Sequence, residues 1–442
     1  MLRKILLGMV ILLFAGAGLF PRQQLVAAEK TRAPATQPAA ATKPTPKVEE
    51  SGPRPFSLDR PTLTDNWFGL GKPLEDIGIG MKYYWNSHYT SVIKGGRRTD
   101  SGKHSATYDW IVTFDLDKMG LIPDAEVLFD ARGQWGRSVN PWTGSSEQVI
   151  DDADGNRGIY VDMLWYRQHF WDRKLALELG YLDYQTIVDR NVYANSEDKQ
   201  FMNAALDNNP LIPTAAMTGL GATLYVRPCE WYTMILGVGD AQRLPLYKPG
   251  FSTAFHDEAW FLTYIEQTLH TKIPSGNGPL TGNYRFGLLY DPTVRDEFRR
   301  PGASPQRNGN DLGFYTSFDQ MFYRENPDDN QGLGWFFRYG FRHGESFRFN
   351  QFWSTGLVYT GLIPTRDKDH MGAAIAQKIH SRQYRSRIND RAGSETIYEL
   401  YYSWQATPWL AILPDIQYID NPGGDNTLAH TIVAGVRMRV TF

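Results

Sequence analysis

Ten charged side chains carry the chemistry open to this chain: Arg285, Arg338, Arg342, Arg437 and Arg439 as donors, and Glu126, Asp130, Asp162, Glu399 and Asp415 as acceptors. Arginine presents a rigid fork of N–H groups, and an ionised carboxylate only accepts. Forks facing carboxylates, with aromatic rings nearby to cover apolar C–H edges, suit weak holding of neutral, hydroxyl-rich solutes rather than bond breaking. The same charges also satisfy one another across neighbouring strands, and residue type leaves both roles open. Covalent catalysis needs a nucleophile beside a base and an orienting acid. His104-Ser105 and His380-Ser381 are adjacent in sequence, yet neighbours along a strand point to opposite faces. The histidines show no metal-ligand spacing on a helix. Gly69, Gly71, Gly78 and Gly80, like Gly219-Leu220-Gly221, open no helix of the kind a nucleotide loop requires. In Asp151-Asp152-Ala153-Asp154-Gly155-Asn156, placing Gly155 at the sixth position of a calcium loop puts Ile150 first and Asp162 where a glutamate belongs. It reads as a solvated outer loop, and no metal or cofactor is expected.

The elements that must position these charges have a period of two. Ile432, Ala434, Val436, Met438, Val440 and Phe442 share one side of a strand, and Gly435, Arg437, Arg439 and Thr441 the other. Tyr398, Leu400, Tyr402 and Trp404 oppose Glu399, and Ile412, Ile416 and Tyr418 oppose Asp415. Trp335, Phe337, Tyr339 and Phe341 oppose Arg338 and Arg342, and Tyr284, Phe286 and Leu288 oppose Arg285 and Asp291. Val161, Met163 and Trp165 are expected outward, with Tyr160 and Asp162 inward. Apolar faces with aromatic ends suit lipid and its two interfacial girdles, where a midplane charge costs roughly 2–4 kcal/mol. The charged faces therefore line a lumen. The expected layout is a basic ladder of the five arginines on one wall, with Glu126, Asp130 and Asp162 across from it, giving a transverse field.

Composition agrees. Aromatic residues make up 14% of the chain, including 13 Trp and 24 Tyr, while the mean hydropathy is −0.43. Beyond the amino terminus no run approaches the roughly 20 apolar residues of a membrane helix. An all-β, transmembrane antiparallel β-barrel of about 16 strands reconciles these facts, because only alternate residues face lipid. An even count puts both ends on the periplasmic side. Residues 171–173, 228–230 and 406–408 read as tight turns, and 133–158, 183–217, 240–257 and 293–312 as long outer stretches. At least one of these should fold inward to narrow the pore: residues 135–158 first, 183–217 next. The single cysteine, Cys229, excludes an internal disulfide, and a net charge of −2 suggests no nucleic-acid surface.

Arg3 and Lys4 precede the apolar run 5–14 and the small residues Val26-Ala27-Ala28, so residues 1–28 read as a secretory signal peptide. Residues 29–57, rich in Pro, Ala and Thr, read as an extended, disordered periplasmic leader. The barrel takes residues 58–442.

Three pieces of wording narrow the reading: Glu399-Leu400-Tyr401-Tyr402, Thr407-Pro408-Trp409-Leu410, and Pro414-Asp415-Ile416-Gln417-Tyr418-Ile419 followed by Asn421-Pro422-Gly423-Gly424. In combination they resemble the carbohydrate-selective porins, the OprB family, densely over the last tenth of the chain and more weakly back to Trp67. The terminal Phe442 resembles the sorting signal of outer-membrane barrels. The resemblance implies a bacterial outer-membrane channel through which sugars, monosaccharides such as glucose among them, diffuse without cofactor. It implies as partners outer-membrane lipid, lipopolysaccharide and the barrel-assembly machinery, the last through the Phe442 strand, in a monomer or homotrimer. A general or ion-selective porin, a barrel enzyme and a structural barrel stay open as alternatives.

Overall fold

The computed structural model describes residues 56–99, 101–153, 157–212, 218–241, 261–388 and 392–442. The signal peptide read over 1–28, the leader up to residue 55 and most of the outer stretch 240–257 lie outside the described residues. Sixteen long strands form the wall: β1 (Ile79–Lys94), β2 (Ser101–Asp115), β3 (Ala125–Gly136), β4 (Arg157–Phe170), β5 (Leu175–Asp183), β6 (Thr218–Cys229), β7 (Tyr232–Asp240), β8 (Phe261–Ile273), β9 (Leu280–Asp291), β12 (Asp311–Arg324), β13 (Gly332–Phe341), β14 (Phe349–Thr360), β15 (His370–His380), β16 (Glu395–Thr407), β17 (Leu410–Asp420) and β18 (Thr431–Thr441). Two-residue strands β10 (Arg295–Asp296) and β11 (Arg307–Asn308) make a separate ribbon in the connection from β9 to β12.

Each wall strand pairs antiparallel with the next, and β18 returns to β1, from Tyr84↔Thr441 to Lys94↔Ile432. Closure matters because hydrocarbon offers no hydrogen bonds to a sheet edge. Among the described residues no helix is long and apolar enough to cross a membrane. At the seam, Phe442 N donates to Tyr83 O at 2.9 Å and the two rings meet edge-on at 4.9 Å. Leu63 N donates to Thr441 O at 2.8 Å, so the start of the barrel domain lies at the same mouth as its end.

Along β13, Gly334, Phe336, Arg338 and Gly340 are buried, while Trp335, Phe337, Tyr339 and Phe341 are half-exposed, as the period of two requires. The outward aromatics pack across strands, Phe318 against Trp335 at 4.6 Å and Phe314 against Phe341 at 5.4 Å.

Two features depart from the expected alternation. In β4 the register to β3 runs Asp130↔Met163 and then Ala131↔Val161. Asp162 is thus the extra residue of a β-bulge, and one extra residue reverses the face of everything beyond it. Tyr160 and Val161 keep their expected sides, but Met163 and Trp165 turn inward, and Trp165 is buried with Leu182 and Tyr184. The inner face is also less polar than expected. Phe336, Phe352, Ile397, Tyr401, Leu413 and Val433 form one buried cluster with Val149, Ile150, Phe201, Met202 and Leu206, which come from two chain segments folded into the barrel.

Candidate functional site: the filled lumen

Those two segments, residues 137–153 and 184–212, fall in the first and second candidates for an inward stretch, and both enter. The inward polar face of the wall holds them. Asp152, buried, accepts from Asn86 Nδ2 at 2.8 Å, Thr107 Oγ1 at 2.7 Å and Arg132 Nη2 at 2.5 Å, while its backbone oxygen accepts from Gln134 Nε2 at 2.9 Å. On the other side, Glu399 accepts from Met202 N at 2.5 Å and Asn203 N at 3.0 Å. Gln417 accepts from Asn203 Nδ2 and donates to Val149 O, both at 2.9 Å. Arg338 donates to Leu206 O at 3.0 Å, Arg342 to Leu211 O at 3.2 Å, and Arg437 to Glu197 O at 2.7 Å and Gln200 O at 2.8 Å. The segments also bond each other: Asp151 N donates to Met202 O and Ala204 N to Gln148 O, both at 2.9 Å.

This changes the layout expected for the ten charges. Arg285, Arg338, Arg342, Arg437, Asp130, Glu399 and Asp415 face inward but are buried. Arg285 pairs with Asp319 at 2.6 Å, Arg338 with Asp189 at 3.3 Å, and Arg342 with Asp311 and, at 3.4 Å, Asp291. The five arginines do not share one wall. Four strands, β14 to β17, separate Arg338 and Arg342 from Arg437 and Arg439, and the latter pair lies toward the acidic strands β2 and β3. Local neutralisation takes the place of a transverse field, because each guanidinium ends on a neighbouring carboxylate or on carbonyls of the inner segments.

Arg439, Glu126 and Asp162 remain partly exposed. Beside them stand inward residues that sequence reasoning did not single out. Arg132 meets Glu197 at 2.6 Å and Asp109 at 3.7 Å, and Arg439 meets Asp198 at 2.9 Å with its guanidinium 4.9 Å from the Tyr84 ring centre. Arg132 was findable, since it shares the parity of Glu126 and Asp130. Glu197 and Asp198 sit in irregular chain and leave no periodic signal. Asp152, singled out only within an acidic run, spends its carboxylate on the wall, and no candidate metal cluster occurs among the described residues.

A closed sixteen-strand wall with a partly filled polar lumen is porin architecture, and comparison with known proteins gives the family. The model of the carbohydrate-selective porin, OprB family, matches residues 101–442. The chain belongs to that family. It is similar to Porin B of Pseudomonas aeruginosa, at 23% identity over 432 residues that span 88% of this chain and 92% of the relative. It is also similar to the putative porin QuiX of Acinetobacter baylyi, at 22% identity, covering 88% and 94%. Among solved structures, the high-pH form of Pseudomonas putida OprB superimposes with a TM-score of 0.79 at 20% identity, over 88% of this chain and all of the other. The low-pH form gives 0.58 at 18% identity, with the same coverage. The protein is thus an outer-membrane porin through which carbohydrates diffuse, and its family is one of channels.

In this porin the contact between the two inner segments contains a carboxylate cluster. Asn208 Nδ2 donates to Asp151 Oδ2 at 2.6 Å. Desolvation, reinforced by Glu197 and Glu147, pushes Asp151 up to about 8. Desolvation and then Asp151 itself hold Asp207 well above the usual carboxylate range. A raised pKa in the packed state means that packing binds protons which the released segments give up. The stabilisation is complete below the ordinary carboxylate pKa and is lost as pH rises through about 8. Protease cleavage within 137–153 and 184–212 is therefore expected to accelerate between pH 6 and 9, and Asp151→Asn to flatten that dependence. Equal cleavage rates for parent and variant across the range would refute the assignment.

Proposed function

We propose that the channel favours neutral monosaccharides such as glucose, selected where the clamped inner segments leave a strip of lumen open from β18 through β1 round to β4. The observation that carries this reading is the pairing of donors that keep a small exposed edge, 12% for Arg132 and 19% for Arg439, with the acceptors Glu197 and Asp198, beside inward aromatic rings. A sugar hydroxyl accepts from a fork and donates to a carboxylate at once, and pairs that already neutralise each other repel neither cations nor anions strongly. Contacts of this kind are weak, which lets solute leave as readily as it enters. Of the ten charges, Arg439 and Asp162 touch solute along this strip, and four of the buried ones, Arg338, Arg342, Arg437 and Glu399, hold the segments that give it its width. Transport is passive and uses no cofactor. Residues 1–28 direct export, 29–57 extend into the periplasm, and the strand ending at Phe442 engages the assembly machinery.

Reconstitution in planar bilayers tests the reading. Glucose is expected to lower single-channel conductance reversibly, with modest ion preference. A channel that ignores sugars while passing cations or anions selectively would make it an ion-selective porin instead.

A further inference from the structure

A second cluster lies in the lumen on the periplasmic side of that strip. Arg167, at the end of β4 that leads into the tight turn at Trp171, donates through Nε to Glu178 Oε2 at 2.8 Å and through Nη1 to Glu126 Oε1 at 2.9 Å. Its Nη2 also binds Glu178. The guanidinium lies 4.3 Å from the centre of the Trp165 ring and 5.4 Å from that of Tyr225, which in turn donates to Glu178 Oε1 at 3.2 Å. The β4 bulge creates this arrangement, since without the extra residue Trp165 and Arg167 would face lipid.

The components divide by exposure. Glu178 is buried, with 2% of its side chain exposed, whereas Arg167 shows 27% and Glu126 36%. The buried carboxylate and the two rings therefore fix the plane of the guanidinium, and the accessible edge is the Arg167–Glu126 pair. Of the five N–H groups of an arginine, three serve the two glutamates, which leaves two for a ligand. Glu126 Oε1 receives Arg167 and, at 3.4 Å, His169, which leaves Oε2 to accept from a hydroxyl. Arg132 stands six residues along β3 from Glu126, and at about 3.3 Å per residue the two pairs are roughly 20 Å apart. That spacing is too long for one monosaccharide to bridge.

We propose that Arg167 and Glu126 form a second, separate station for a polyhydroxylated solute near the periplasmic exit, positioned by Trp165, Tyr225 and Glu178. The station rests on the sugar-channel reading but adds a distinct site, so that solute passes between two weak sites rather than over one. Two stations give sidedness: a sugar entering from the periplasm meets Arg167 and Glu126 first.

The test is single-channel recording of the full porin in a bilayer of known orientation, with glucose added to one side at a time. Glu126→Gln, which leaves the Arg167–Glu178 pair in place, and Arg167→Met are each expected to weaken block from the periplasmic side several-fold and to leave block from the outer side unchanged. Heat-modifiable migration in gels verifies that both variants fold. Block unchanged from both sides, or weakened equally from both, would overturn the second station while the channel reading stands. A parent channel blocked from neither side would overturn both.

Discussion

Asp152→Ala is expected to raise conductance and to make it fluctuate, while the barrel itself stays folded. The carboxylate is 1% exposed and joins residues 137–153 to three wall strands at once, through Asn86, Thr107 and Arg132. Alanine takes the shared acceptor from all three donors. Removing one partner of a buried ion pair costs about 3–5 kcal/mol, the lower end applying here because Arg132 keeps Glu197 and Asp109. At about 1.4 kcal/mol per factor of ten, the docked segment loses roughly a hundredfold of its advantage over the released one. The ladder of the wall contains no bond to Asp152, so folding survives. Asp152→Asn keeps one acceptor oxygen and should fall between parent and alanine. Single-channel traces, together with protease cleavage within 137–153, decide the matter: quiet parental conductance in Asp152→Ala would show that the segment is held elsewhere.

Arg338→Lys is expected to fail almost as completely as Arg338→Ala, although it keeps the charge. Nη1 of Arg338 reaches Leu206 O at 3.0 Å, Nη2 reaches Asp189 O at 3.4 Å, and Nε lies 3.3 Å from Asp189 Oδ2. These are three targets set by a planar fork, and a lysine ammonium is a single point on a flexible stem. The pair is buried on both sides, with 0% and 6% of the side chains exposed, so the loss is again about 3–5 kcal/mol. Residues 184–212 should then become accessible to protease and conductance should rise. Because the two inner segments bond each other, Arg338→Ala combined with Asp152→Ala should release less than the sum of the single effects. A lysine variant with parental conductance would mean that charge alone anchors the segment.

The wall was legible because two constraints coincide on it. Strand geometry alternates the faces, and lipid penalises any charge placed on the wrong one, so stretches such as residues 333–341 and 432–442 read correctly from parity alone. The bulge at Asp162 was not legible, since one inserted residue leaves no mark in the amino-acid pattern and only the pairing partner reveals it. Its effect was nonetheless large: it carried Trp165 and Arg167 from the lipid side to the lumen. The site was legible in part. That Arg338, Arg342 and Glu399 face inward followed from their neighbours. That they clasp Leu206, Leu211 and Met202 did not follow, because backbone carbonyls and amides of irregular chain exist at every position and carry no signature. Length and polarity named the stretches that enter, but not the groups that receive them.

The clasps also constrain the order of assembly. Ser145 bonds Glu395 across 250 positions of chain, Met202 bonds Glu399 across 197, and Gln200 bonds Arg437 across 237. Contacts so distant in sequence require most of the polymer to be gathered first, and their loop-closure entropy is unfavourable until late. Arg437 lies on β18, the strand that seals the ring against β1. The groups that complete the grip on residues 184–212 thus arrive with the sealing strand, and a wall that closed before those residues were inside would have to admit them through a mouth. Sealing and filling are coupled steps, and a chain whose inner segments dock poorly carries that fault into the last stage of its own insertion.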